Sequence, residues 1–207
     1  MPIITYPLLP PATPAPRDLM LRPQSAVGLA TSPFTFQSQA QVHAGQRWVL
    51  SFALPPLVGR SAFAPWGAFL TGLNGMEGTF LMGDPFHRKP RGVATGTPLV
   101  DGADQTGGEL ATKGWTVSVA GILKADDFIQ LGSGAGARLH KVLADVDSDG
   151  SGEAVLPIWP RLRASPADEA VIVTENCVGV FRLRGNEPDW TRALNVFGVR
   201  VDAVEVV

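Results

Sequence analysis

The sequence predicts a mainly β protein built from two β units, one inserted into the other. Three observations predict it. Glycine (23) and proline (18) cut the chain of 207 residues into short segments. Apolar residues alternate with polar ones at period two in most of those segments. Only one stretch has helical spacing.

The chain opens with Met1-Pro2-Ile3-Ile4-Thr5-Tyr6-Pro7-Leu8-Leu9-Pro10-Pro11, followed by Pro14 and Pro16. This reads as an extended arm over 1–23 with polyproline-like stiffness. Its apolar side chains Ile3, Ile4, Leu8 and Leu9 need a neighbour, and are expected to form an assembly interface. The arm lacks the basic start of a secretory signal. Phe34, Phe36, Ser38, Ala40 and Val42 then alternate with Gln37, Gln39 and Gln41. His43-Ala44-Gly45-Gln46 is expected to turn the chain into a second strand, with Trp48, Leu50, Phe52 and Leu54 on one face. Phe63, Trp66, Phe69, Leu70 and Leu73 have helical spacing. Ser61 is the expected cap, Asn74-Gly75 the expected stop, and Pro65 fits only a first turn. A strand at Thr79–Met82 follows.

Residues 91–107 read as loop. Strands are expected at Trp115–Val119, Phe128–Leu131, Arg138–Val146 and Ala154–Trp159, the pattern of a small barrel or sandwich. Plain strands return at Val178–Leu183 and Asn195–Val207, where Phe197, Val199, Val201 and Ala203 share a face. A hairpin alone is marginal in water, so these terminal strands are expected to complete the first unit's sheet. The organisation is an arm (1–23), a discontinuous β domain with one helix (24–90 and 165–207), and an inserted β module (91–164).

Charged residues are 17% of the chain, below the usual quarter, which suits a surface partly covered by partners. The formal charge of −2 shows no basic footprint for nucleic acid. The His87–Arg91 run reads as a solvated loop. One cysteine, Cys177, excludes an internal disulfide and a zinc framework, and points to synthesis in a reducing cytoplasm. No apolar run is long enough for a membrane helix.

Chemistry is sparse. Asp145-Val146-Asp147-Ser148-Asp149-Gly150 begins like a calcium loop, but its twelfth position is Leu156, where a bidentate Glu belongs. A structural turn is the better reading. Gly132–Arg138 lacks the ending of a phosphate loop. His43, His87 and His140 have no close-spaced partners. Cys177 reads as a buried thiol, and Asp126-Asp127 as a turn pair facing opposite ways. No catalytic, cofactor or metal site is expected, and the chain is read as not an enzyme. Trp115 and Trp159 are the candidates for a sugar-stacking surface.

Gly45-Gln46-Arg47-Trp48, Pro55-Pro56, the Trp66–Leu73 helix, Gly78-Thr79-Phe80 and Asp84-Pro85 together resemble the N-terminal domain of siphophage distal tail proteins. The block from Gly114-Trp115 through Leu123–Gly132 to Ile158–Arg163 resembles a β module of phage tail proteins. The resemblance covers about two thirds of the chain. It implies a β-sandwich with one helix, completed by the C-terminal strands, and an inserted small OB-like β-barrel module. It also implies a structural virion protein at the tail tip, made in the bacterial cytoplasm. Its role would be a ring, hexameric in the family, joining tail tube to baseplate hub. Partners would be copies of itself, the tube protein and the hub protein, with DNA only as passing cargo. A carbohydrate-binding module, a small hydrolase, and another tail part such as a tube or terminator subunit are the rival readings.

Overall fold

The computed structural model describes residues 4–206. These residues are mainly β, with one α-helix among them. Its strands form two sheets. The first joins β1 (Asp18–Thr31), β2 (Ser38–Ala53), β13 (Val196–Glu205), β11 (Gly179–Leu183) and β4 (Phe80–Met82) in that order. The short strands β3 (Leu57–Val58) and β12 (Asp189–Ala193) also pair with β13. The second sheet runs β10 (Ile172–Val173), β7 (Phe128–Leu131), β8 (Arg138–Val142), β9 (Ala154–Leu162), β6 (Gly107–Trp115) and β5 (Gly96–Val100). An antiparallel bridge between Leu99 and Val171 brings its two ends together, so it is nearly a closed barrel.

The terminal strands lie inside the first sheet. β13 pairs with β2 on one edge (Val201 opposite Phe52, Ala203 opposite Leu50) and with β11 on the other (Phe181 opposite Glu205). Period two places Phe197, Val199, Val201 and Ala203 in the core, while Arg200 and Asp202 face water. Helix α1 (Arg60–Gly72) covers this face with Trp66, Phe69 and Leu70. Gly59 precedes it and no side chain caps it, so Ser61 is not the cap. Pro65 sits in the second turn, beyond the expected first. Asn74 and Gly75 close the helix with φ of 50° and 64°.

The first hairpin departs from expectation. β2 continues unbroken through 43–46, and the turn lies at Ser32–Gln37. There the Ser32 amide donates to the Gln37 carbonyl (2.9 Å), and the Phe36 amide to the Ser32 carbonyl (3.0 Å). Gly45 serves a bulge instead: between Ser25–Gln46 and Val27–Val42, β2 spends four residues where β1 spends two. The arm is therefore shorter than 1–23, because Asp18 already opens β1. Residues 91–107 are also not all loop, since β5 pairs with β6. β6 ends at Trp115, where the sequence pattern predicts a strand to begin. Beyond 164, Ile172 and Val173 still belong to the barrel.

Two cores result. One lies between the first sheet and α1, around Trp48, Trp66, Phe80 and Phe181, and it takes in Phe128 and Leu139 from the barrel. The other fills the barrel, around Leu110, Ile122, Ile129 and Leu156. Because β2 and β4 both lean on strands beyond residue 178, residues 1–90 alone should remain unfolded. Circular dichroism of that fragment should show no cooperative melt, and a sharp transition would contradict this topology.

Candidate functional site

Two features stand out: the free half of the first hairpin, and the seam from which it rises. From Pro23 to Gln46 no Asp, Glu, Lys or Arg occurs. Every residue from Arg22 to Gly45 except Ser32 is exposed. Directly paired residues share a face. The register therefore places Val27 with Val42, Leu29 with Ala40, and Thr31 with Ser38 on one face; Gly28 with Gln41 and Ala30 with Gln39 lie on the other. The ribbon is thus amphipathic, with its apolar face uncovered: Leu29 is 68% exposed and Val42 63%. At the tip, Phe34 is 92% exposed and Phe36 81%. β1 has no partner on its outer edge among the described residues. Beyond Arg22 and Pro23 that edge carries none of the charges that usually blunt a free edge.

The seam ties this ribbon's root to the barrel. Gln46 Oε1 accepts from the Arg161 amide (2.8 Å), and its carbonyl accepts from Arg163 Nε (3.1 Å). Arg163 Nη2 pairs with Glu205 Oε2 (2.5 Å), and the Trp48 amide donates to the same oxygen (3.0 Å). Trp48 packs edge-on against Trp159 and donates its indole N–H to the Leu139 carbonyl (2.9 Å). Gln130 adds a second bridge, accepting from the Val178 amide (2.9 Å). At Gly179 a Cβ would stand 3.1 Å from that of Leu139, so the two sheets approach closely there. No sequence motif singles out Glu205, yet the alternation points to it: it is the next core position after Ala203.

Of the expected interface residues, Ile3 lies outside the described residues. Leu8 is committed at home, against the expectation that it lies on a neighbour. Its amide donates to the Thr79 carbonyl, its carbonyl accepts from the Leu81 amide, and its side chain packs on the first core. Tyr6 joins it there, its hydroxyl donating to the Gly72 carbonyl (2.8 Å). Ile4 and Leu9 remain 50% and 75% exposed.

The other candidates are occupied by the fold. Asp145 accepts from the Ala125 amide and Lys124, Asp147 from the Gly121 amide, and Asp149 from the Ser151 and Glu153 amides. These bonds hold Asp145 and Asp149 below the usual carboxylate range, led in each case by a backbone N–H. Among the described residues, no three metal-ligating side chains converge. Asp127 is clamped by the amides of Arg91, Gly92 and Lys124. His87 stands between Asp84 (2.7 Å) and Asp126 (3.4 Å), a contact the sequence does not show, while Asp126 itself is held down chiefly by Lys141. His43 sits on the exposed ribbon. Burial raises the Cys177 thiol to about 12. Trp115 is buried with its indole N–H on Thr112, and the half-buried Trp159 packs against Trp48, so the two do not form a shared open stacking surface.

No family model matches this chain, and no curated protein matches it.

Three outcomes follow from these contacts. Arg163→Ala strands a buried carboxylate and should cost about 3–5 kcal/mol in urea unfolding. Arg163→Met with Glu205→Gln, which removes both charges and keeps an acceptor for the Trp48 amide, should recover most of that loss; equal loss in both variants would contradict the pairing. Calorimetry with millimolar calcium should give no saturable heat, and binding tighter than about 100 µM would show the loop to be a calcium site. His140 is buried, donates from Nδ1 to the Pro160 carbonyl (2.7 Å), and is lowered to about 4, mainly by desolvation. Its unfolded counterpart titrates near 6.5, so unfolding takes up a proton between those values. Stability should fall as pH drops from about 6.5 to 4, by up to about 3 kcal/mol. His140→Gln should flatten that part of the pH profile of the melting temperature.

Proposed function

We propose that this chain is a structural subunit of a ring at the distal end of a long non-contractile phage tail, joining the tail tube to the baseplate hub. The observation that carries this reading is the uncharged, exposed ribbon from Pro23 to Gln46, with its bare apolar face and free outer edge. A two-stranded ribbon is marginal alone in water, and an unprotected edge invites another chain. A surface of this kind suits a constitutive assembly partner better than a reaction. Edge pairing between copies gives directional main-chain hydrogen bonds. A head-to-tail contact with a fixed rotation then closes into a ring.

The ribbon takes the role expected of the N-terminal arm; of the arm's described interface candidates, Ile4 and Leu9 stay open for a neighbour and Leu8 does not. Six copies, the tube and hub proteins as partners, and passing DNA come from the family resemblance. The low charge content is compatible with a lumen that lets DNA slide without gripping it. The sugar-binding reading is less favoured, since Trp115, one of its two stacking candidates, is buried.

Electron microscopy of the intact particle, with this chain tagged at its C-terminus, tests the proposal. The tag should appear as a ring of density at the tail tip. Density spread along the tube, at the head-proximal end, or absent from the particle would overturn it.

A further inference from the structure

We propose that the Phe34–Phe36 tip of one copy seats in the barrel cavity beside Leu131 and Leu162 of a second copy. This rests on the reading of the chain as an assembly subunit, and it names the surface that receives the ribbon.

The tip has no seat at home. β2 leaves the seam at Gln46 and runs to Ser38, and with a rise of about 3.3 Å per residue the tip stands roughly 25 Å from the root. The turn is also preformed. Ser32 Oγ accepts from the amides of Phe34 (3.4 Å) and Thr35 (3.3 Å). Phe36 holds a φ of 56°, a conformation a bulky residue rarely adopts. Both rings are therefore presented to water by a braced loop, the condition in which docking loses little entropy.

The cavity has the complementary character. It is an open cavity of about 590 Å³, lined among others by Leu131, Gly132, Gly136, Leu162, Pro166 and Ala170. Pockets of about 300–1,000 Å³ enclose a drug-sized ligand, so two phenyl rings fit by volume. Small residues on its walls leave the space that a neighbour's bulky side chains would fill. Its cationic groups decide between an aromatic occupant and a free anion. Arg163 is neutralised by Glu205, and His140 is neutral at pH 7. Arg138 already donates to the carbonyls of Ala135 and Ala137. An anion would find one unneutralised cation. An uncharged aromatic tip leaves these bonds intact and offers a π face to Arg138. Knob and hole lie on different surfaces of one chain, so the contact can run head-to-tail from copy to copy.

The test uses two differently tagged full-length variants, Phe36→Cys and Ala167→Cys, mixed and mildly oxidised. Ala167 is exposed at the cavity's lip, and the buried Cys177 stays out of the reaction. A disulfide joining the two tags is expected. The control pairs Phe36→Cys with Val155→Cys, exposed on β9 outside the cavity lining, and should give little product. Ala167→Arg should weaken self-association at least about tenfold in sedimentation while leaving the melting temperature unchanged. Equal cross-linking of the control, or undiminished association of Ala167→Arg, overturns the seat. If Phe34→Asp with Phe36→Asp abolishes association and Ala167→Arg does not, the ribbon binds elsewhere and the ring reading survives. A wild-type chain that stays monomeric in sedimentation, with the cysteine variants giving neither cross-link, overturns the seat, whereas the chain's place in the particle is judged by microscopy alone.

Discussion

The pairing of Glu205 with Arg163 is the contact on which the arrangement of the two sheets depends. A carboxylate 2% exposed is costly to bury, and it is tolerated only where donors replace its water. Oε2 takes both the Trp48 amide and the Arg163 guanidinium, while Oε1 has no partner among the described residues. The three groups come from different parts of the chain: the end of β13, the point where β2 enters the core, and the segment just past β9. Moving either charged group strands its partner, and moving the Trp48 amide orphans a buried N–H. Hydrophobic contacts such as Trp48 with Trp159 supply area, but area is tolerant of sliding. The charged bond gives the seam a direction.

That direction passes to the ribbon through Gln46. Its side chain and carbonyl are both held by residues 161–163, at the end of β9 and just past it, before β2 enters the core. On the core side of this point, Trp48, Leu50 and Phe52 are buried; on the other side every β2 residue from Ser38 to Gly45 is exposed. The bulge at 43–45 falls at this change. A bulge raises local twist and bends the strand, so the same irregularity that interrupts the pairing also aims the ribbon. A free ribbon would sample many angles. One rooted in a hydrogen-bonded seam holds its apolar face in a defined orientation to the barrel, as the proposed ring contact would require.

Much of this is legible in the sequence where periodicity is backed by burial. β13 shows it well: five alternate positions from Phe197 to Glu205 face the core, and four of them are apolar. The helix is legible for the same reason, through Trp66, Phe69, Leu70 and Leu73. The first hairpin is not. Gly45 among polar residues looks like a turn, and only the pairing of Val27 with Val42 reveals that it serves a bulge. β1 is hidden because its run Arg22-Pro23-Gln24-Ser25-Ala26 shows no alternation of apolar and polar residues. Both faces of that stretch are exposed, so pairing with β2, and not burial, makes it a strand. The seam is partly hidden, since a lone Glu in a terminal strand means little until the position opposite it is known.

The absence of charge in the ribbon has a physical consequence of its own. Natural free edges carry lysine, proline or inward charges because an open row of amides and carbonyls otherwise recruits other strands indiscriminately. Here Arg22 and Pro23 guard only the root of β1, and beyond them the ribbon offers amides, glutamines and aliphatic side chains. Leaving such an edge bare is tolerable when the intended partner is abundant and arrives early, as identical copies would in the proposed ring. The glutamine face, Gln39 and Gln41, keeps one side of the ribbon wet and leaves a single apolar side to be covered. One apolar face, one free edge and one aromatic tip make the ribbon asymmetric, and in the proposed ring that asymmetry would favour a directed contact over indiscriminate aggregation.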